Sequence, residues 1–255
     1  MYLVFGNPSN SFCQALQESL WAEGQQCHIV NSVFYTPEFA ALRISPDYNE
    51  ALYRHQSEDF PPESDIQGVY IHEFMYPDES AWKPDDYEYV CEEITSAFLA
   101  WLQALTCPVL NRYAPRTWYG RFSNLLAWRK SAFQAGLEIS ECFASSNSDG
   151  DHLQQIRFVW PQRLYRAAIV GSEVIWDLLP PPDYEELLAP LLRFMELNGL
   201  DILELVLNFE HHRSRVFSLA LELSPQQFSL GTRKQILDQI VSVFRTRQTR
   251  SAEPA

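Results

Sequence analysis

The stretch YLVFGNPSNSFCQALQESLWAEGQQCHIV, residues 2–30, determines the fold class. Two short β-rich apolar runs flank a segment whose apolar residues recur at helical spacing. Ser9 or Asn10 is a plausible cap for the start of this helix, and Gly24 would end it. A strand, a helix and a second strand in this order predict the beginning of a parallel sheet, so we expect an α/β protein.

The rest of the chain divides into two halves with different strand chemistry. Apolar runs at 68–74 and 108–111, separated by a long helical segment at 85–105, extend the first half to an open sheet of about four strands. Residues 31–65 contain four prolines and are predicted to be a long loop that has room for one edge hairpin. In the second half Leu164–Val170 and Glu173–Trp176 are joined by Gly171-Ser172, which is typical of an antiparallel hairpin. We expect domains at 1–115 and 116–245, followed by a flexible tail at 246–255.

Charge and cysteine content exclude several function classes. Of the 255 residues, 19 are Lys or Arg and 33 are Asp or Glu, which gives a formal net charge of −14. Such a chain repels phosphate backbones and anionic lipid, so neither nucleic acid nor membrane is an expected partner. The 5 cysteines form no CxxC motif, which favours reduced thiols in a cytoplasmic protein over a zinc ribbon.

Familiar phosphate-binding motifs are absent from the sequence. The first loop after a strand is Gly6-Asn7-Pro8-Ser9-Asn10, which matches neither a dinucleotide-binding nor a P-loop pattern. His211-His212, the one histidine pair, falls on a strand-to-strand turn with no ligand at metal-site spacing, so we interpret it as a solvated tip. The least ordinary feature is a set of arginines at Arg157, Arg163 and Arg166. They either bind an anion or pair with the surplus carboxylates.

Several segments, taken in order, resemble one family. They are PVLN at 108–111, LYRAAIVGSEV at 164–174 and ALELSP at 220–225. This series is similar to that of the ATP-grasp superfamily, in particular the RimK-like carboxylate–amine ligases and graspetide maturases. The resemblance implies a pre-ATP-grasp-like parallel-sheet half and a smaller, largely antiparallel ATP-grasp-like half. It also implies that Arg166 and Glu222 line one groove.

The sequence departs from the family pattern where ATP is handled. The family's phosphate-binding lysines belong to a lid subdomain expected between Phe143 and Gln155, where this chain has a short loop without Lys or Arg. The magnesium aspartate falls on Val206 or Leu207, whereas Glu222 is retained. The resemblance is therefore to a degenerate, shortened member that lacks the lid subdomain.

These departures lead to two function hypotheses. The first is a non-catalytic binding or partner subunit for a peptide or an active homologue, with no cofactor. The alternative is an ATP-dependent carboxylate–amine or peptide ligase with a minimal site. In that alternative Arg157, Arg163 and Arg166 bind the phosphates and Glu222 is a weak candidate ligand for magnesium. A homo-oligomer formed through leucine-rich helices is a third hypothesis.

Overall fold

The computed structural model describes residues 1–30, 39–44, 49–55, 58–59, 63–72, 83–110, 125–140, 163–220 and 223–251. The chain forms two compact units, Met1–Tyr113 with Ile240–Ala255, and Ala114–Gln239. The helices are α1 (Ser11–Ala22), α2 (Pro84–Ala104), α3 (Leu125–Ala135), α4 (Tyr184–Asn198) and α5 (Leu230–Ser251). The strands are β1 (Tyr2–Phe5), β2 (Cys27–Val30), β3 (Phe39–Ile44), β4 (Asn49–His55), β5 (Glu58–Asp59), β6 (Gly68–Ile71), β7 (Val109–Leu110), β8 (Leu164–Val170), β9 (Glu173–Trp176), β10 (Ile202–Glu210) and β11 (Arg213–Ala220).

A four-stranded parallel sheet forms the centre of the first unit, in the order β2-β1-β6-β7, which confirms the predicted fold class. Helices cover both of its faces. On one face Phe12 of α1 meets Tyr70, and on the other Phe98 and Trp101 of α2 meet Phe5. Because both faces are covered, all four residues of β1 are buried.

The cap of α1 is tied to the end of β6. Asn10 Oδ1 accepts the N–H groups of Phe12 at 2.8 Å and Cys13 at 3.4 Å, which turns its Nδ2 towards His72 Nε2 at 3.1 Å. Since the amide nitrogen donates, Nε2 accepts, and Nδ1 lies 3.3 Å from the Tyr70 hydroxyl. Burial lowers the pKa of His72 to about 4 and keeps the ring neutral.

The second unit contains a four-stranded antiparallel sheet in the order β11-β10-β8-β9, as the sequence predicts. The hairpin turn at Gly171 is present, and its φ of 63° suits glycine. One sheet face packs against α3 and α4 through a cluster that includes Leu203, Leu205, Leu207 and Phe194. The exposed His211 and His212 both have positive φ at the tip between β10 and β11, which confirms the predicted solvated turn.

Two segments differ from the sequence expectation. β3, β4 and β5 form a three-stranded antiparallel sheet where the sequence predicts a long loop with at most one edge hairpin. Helix α5 continues to Ser251, into the segment where the sequence predicts a flexible tail from residue 246. Arg245 near this end of the helix forms an ion pair with Glu23. The proposed lid deletion, at 143–155, lies outside the described residues. In the part of the chain that is described, no helix has the length and apolarity needed to cross a bilayer.

Replacing Gly68 with alanine tests the packing of the first unit. A Cβ at Gly68 would lie 2.7 Å from Phe244 Cδ1 and 2.9 Å from Tyr2 Cδ1, and both rings are buried. We expect Gly68→Ala to lower the free energy of unfolding in urea by about 1–3 kcal/mol. The control is Gly231→Ala in α5, where a Cβ meets no atom within 4 Å and helix propensity favours alanine. Equal stability of the two variants would contradict the described packing.

The neutral His72 predicts a specific acid sensitivity. Its pKa is about 4 in the folded protein and near 6.5 in the unfolded chain, so between these values the unfolded chain binds more protons. The contribution of the neutral His72 to the free energy of unfolding is fully present above pH ~6.5. It is lost as the pH falls to 4, by about 3 kcal/mol in total.

Urea unfolding from pH 7 to pH 4 measures this loss. We expect a His72→Gln variant to show a shallower decline in unfolding free energy than the unmodified protein. Replacement of the exposed His28 by glutamine is the control and should leave the slope unchanged. If the unfolding free energies of His72→Gln and His28→Gln decline in parallel as the pH falls, the His72 ring that Asn10 contacts is not neutral as described.

Candidate functional site

The second sheet has one face that carries polar groups. In the register of β8 and β10, Arg166 lies opposite Val206. Side chains alternate along a strand, so Glu204 and Asn208 share this face with Arg166, while the leucines between them point to α3 and α4. We call the face that carries Arg166, Glu204 and Asn208 the polar face.

Arg166 is the main cation of the polar face. Its Nη1 lies 3.3 Å from Glu204 Oε1 and also donates to the side-chain oxygen of Gln227. Its guanidinium carbon is 5.7 Å from the centre of the Phe228 ring, and the side chain is 27% exposed. A guanidinium has five N–H groups, and these two contacts use only Nη1. Arg166 is therefore held in position and can still bind an anion.

Glu204 is the buried carboxylate that holds Arg166. Its Oε2 accepts the N–H of Ser224 at 2.6 Å, and Oε1 faces Arg166. Burial raises the pKa of Glu204, although the Ser224 hydrogen bond and the Arg166 charge partly oppose this effect. Sequence reasoning missed Glu204, which lies inside the apolar run ILELVLNF. A carboxylate in such a run is the signal that was available, because a buried charge requires partners.

Asp177 brings a second carboxylate close to Arg166. Its backbone N–H donates to the Arg166 carbonyl at 2.8 Å, and its Oδ1 accepts the N–H of Ser229 at 2.9 Å. Burial alone would raise the pKa of Asp177, but hydrogen bonds from Ser229 and Thr232, together with the Arg166 charge, outweigh it and lower the pKa. Asp177 therefore stays ionised at neutral pH.

Asn208 is fully buried on the polar face, at 0% exposure. Among the residues that the structure describes, neither its Nδ2 nor its Oδ1 has a hydrogen-bond partner. It lies opposite Leu164 on β8 and Arg215 on β11. A buried amide is costly to leave without hydrogen bonds, so Asn208 is the polar group of this face that the described contacts explain least.

The structure describes only some of the site residues that were predicted from the sequence. Arg163 is exposed at the start of β8, and its carbonyl accepts the N–H of Phe209 at 3.3 Å. It precedes Arg166 by an odd number of residues, so the two side chains do not share a face of an extended strand. Arg157 and Glu222 lie outside the described residues. Among the residues that are described, no three His, Cys, Asp or Glu side chains gather as a metal site.

Solved structures of ATP-grasp ligases are similar to this chain over nearly its whole length. A RiPP-associated ATP-grasp ligase from Chryseobacterium gregarium, in complex with ADP and a leader and core peptide, has a TM-score of 0.70 at 10% identity, covering 97% of this chain and 98% of that one. The macrocyclase MdnC from Microcystis aeruginosa MRC, bound with precursor peptide MdnA, has a TM-score of 0.72 at 13% identity, covering 96% and 99%. The ATP-grasp ligase PsnB, with a minimal precursor variant, Mg and ADP, has a TM-score of 0.66 at 13% identity, covering 97% and 98%.

At this level of identity the similarity shows the fold. The chain has the fold of ATP-grasp ligases, and the resemblance noted in the sequence is confirmed to that extent. No protein-family model matches the sequence. No curated protein matches it either.

The prediction that the chain works without a cofactor is wrong, and the structures of these ligases are the finding that contradicts it. Ligases of the same fold are complexed with ADP, and one of these complexes also contains Mg. The error came from treating the missing family lysines and the missing magnesium aspartate as decisive. One feature of the polar face fits a nucleotide: Arg166 is anchored through Nη1 alone in its hydrogen bonds to the described residues.

Removal of the Arg166 charge tests the described ion pair. Arg166→Met keeps the aliphatic stem but leaves Glu204 with Ser224 as its remaining hydrogen-bond partner among those described. We expect the free energy of unfolding at pH 7 to fall by about 1–3 kcal/mol. Arg193→Met on α4 removes an exposed arginine and should change stability by less than about 0.5 kcal/mol. A similar loss in both variants would show that Arg166 does not hold Glu204.

Proposed function

We propose that this protein is an ATP-dependent ligase that joins a carboxylate to an amine on a polypeptide. The proposal starts from the ATP-grasp ligase fold, which extends over both units of the chain. The observation that carries it is the anchored Arg166 on the polar face, since a fixed guanidinium suits phosphate oxygens.

Each described residue of the polar face has a proposed part. Bound ATP supplies the phosphoryl group that converts a carboxylate oxygen into a leaving group. Arg166 binds and orients a phosphate oxygen, and Glu204 positions Arg166 through the ion pair on the sheet. Asp177, kept ionised by Ser229, limits the freedom of the guanidinium from the β9 side. Glu222 remains the proposed magnesium ligand, with Arg157 and Arg163 as further proposed phosphate contacts.

Exposed leucines support a polypeptide substrate. Leu178 and Leu179 follow Asp177 and are 82% and 75% exposed, and Leu230 is 81% exposed after Ser229. The hydrogen bond from the Ser229 N–H to Asp177 joins the two segments that carry these leucines. Apolar side chains beside a phosphate-binding arginine suit a chain with an apolar segment near its reacting carboxylate. The similar ligase from Chryseobacterium is in complex with a leader and core peptide, and the one from Microcystis is bound with a precursor peptide.

A non-catalytic peptide-binding subunit is the second candidate. One observation favours it: the family's magnesium aspartate is replaced by Val206 or Leu207, both of which are buried and apolar. This candidate predicts peptide binding without turnover of ATP.

Calorimetry with Mg·ADP tests the nucleotide site first. We expect binding in the micromolar range, weakened by about tenfold or more in Arg166→Met because a charge-assisted hydrogen bond is lost. Arg193→Met, on the other side of the sheet, should bind as the unmodified protein does. No binding at millimolar Mg·ADP would contradict the proposal.

Turnover then separates the two candidates. The ligase predicts ADP release from Mg·ATP when synthetic peptides with Glu and Lys side chains are added, and a peptide product lighter by one water. Arg166→Met should suppress both signals, whereas Arg193→Met should retain them. Mg·ADP binding without ADP release across a broad peptide panel would favour the non-catalytic subunit.

A further inference from the structure

The outer edge of β9 is a row of backbone groups that face away from the second sheet. β9 is the last strand in the order β11-β10-β8-β9, and among the described strands only β8 pairs with it. The Asp177 N–H donates to the Arg166 carbonyl at 2.8 Å, so the backbone of Asp177 faces β8. Backbone groups alternate along an extended strand, so the N–H and C=O groups of Val174 and Trp176 point to the outer edge.

This edge lacks three of the devices by which proteins prevent strand addition, namely lysines, prolines and bulges. The sequence of β9 is EVIW, which contains neither Lys nor Pro, and its pairing with β8 runs without a break in register. All four residues are at least partly exposed. An edge of this kind can accept the backbone of an extended polypeptide.

A strand added to this edge would project side chains onto the polar face. The registers of β8 with β9 and with β10 put Ile175 on the same face as Glu204. Asp177 is the next residue of this face along the chain, and it lies beside Arg166. Neighbouring strands are about 4.8 Å apart, so every second side chain of an added strand would lie next to Ile175 or Asp177.

The charge around β9 indicates which kind of polypeptide the edge attracts. Residues 171–186, from the hairpin turn through β9 into α4, include five acidic residues and no Lys or Arg. Glu173 is exposed at the start of β9, and Asp177 follows its end. A second copy of this chain would bring the same acidic segment and a net charge of −14 to the edge, whereas a lysine-bearing polypeptide is attracted to it.

We propose that an extended, lysine-bearing segment of the polypeptide on which this protein acts adds to the outer edge of β9 as a fifth strand, with its lysine beside Asp177. This inference rests on the proposed function, in which a carboxylate and an amine are joined, and it assigns the place of the amine-bearing segment. Backbone hydrogen bonds to Val174 and Trp176 bind the segment whatever its sequence, and Asp177 selects the lysine.

Amide hydrogen exchange in the full chain, resolved by residue with NMR, tests the strand addition. The probe is a synthetic peptide with blocked ends, Thr-Val-Thr-Lys-Thr-Val-Thr. We expect the N–H groups of Val174 and Trp176 to exchange rapidly in the free protein and to slow by about tenfold or more at saturating peptide. The Ile175 N–H, which faces β8, should change little.

Methylation of alternate backbone nitrogens of the peptide gives a matched pair of controls. One alternate set faces β9 in the added strand, and its methylation should weaken binding by about 2- to 10-fold for each hydrogen bond lost. The other set faces solvent, so its methylation should leave the affinity nearly unchanged. Equal effects of the two sets would overturn the strand addition.

Variants of the protein separate the backbone contribution from the charge. Val174→Pro removes an outward N–H without removing a hydrogen bond to β8, and it should weaken peptide binding, whereas Val174→Thr should not. Replacement of the peptide lysine by norleucine should weaken binding to the unmodified protein about two- to fivefold and leave binding to Asp177→Asn nearly unchanged. If Val174→Pro does not fold, the methylated peptides still decide.

The outcomes distinguish this inference from the proposed function. Unchanged exchange at Val174 and Trp176 in millimolar peptide overturns the strand addition and leaves Mg·ADP binding as a separate question. Slow exchange that depends on protein concentration without peptide also overturns it, because a second copy then occupies the edge. If the peptide binds at the edge but Mg·ADP does not bind, the ligase proposal fails and the strand addition stands for a non-catalytic peptide-binding subunit.

Discussion

The ion pair between Arg166 and Glu204 is the interaction on which the candidate site depends. Glu204 is buried on β10, one of the two inner strands of the second sheet, and its charge is tolerated because Arg166 and the Ser224 N–H both bind it. The pair fixes the guanidinium on the polar face instead of leaving it to rotate in solvent. Removing either partner leaves the other without its counter-charge, so the geometry of Arg166 and the stability of the sheet are coupled.

Side chains along β10 alternate between the core of the second unit and the polar face. Leu203, Leu205 and Leu207 pack beneath α3 and α4, whereas the residues between them face the other way. One strand therefore anchors the core of the second unit and presents Glu204 and Asn208 together. A shift of the register by one residue would exchange the two sets, which is why the continuous pairing of β8 with β10 matters for the site.

Local patterns in the sequence predicted much of the fold but only part of the site. The unit from β1 to β2 and the hairpin at Gly171 follow from strong periodicity and turn chemistry, and Arg166 was identified from its hairpin. Glu204 and Asn208 were missed because their significance depends on cross-strand neighbours, which a buried apolar run does not reveal. The β3–β5 sheet was predicted only as a loop with at most one edge hairpin, because its proline-containing surroundings resemble loop. The absence of a cofactor was inferred from missing family residues, and that inference ignored what the sheet assembles from other positions.

The central claim is that the polar face holds a nucleotide, with its phosphates at Arg166. A crystal structure of the protein grown with Mg·ADP tests this claim most directly. The account predicts a diphosphate within hydrogen-bond distance of the Arg166 guanidinium. Nucleotide bound elsewhere, or a polar face that stays empty at saturating Mg·ADP, would contradict it.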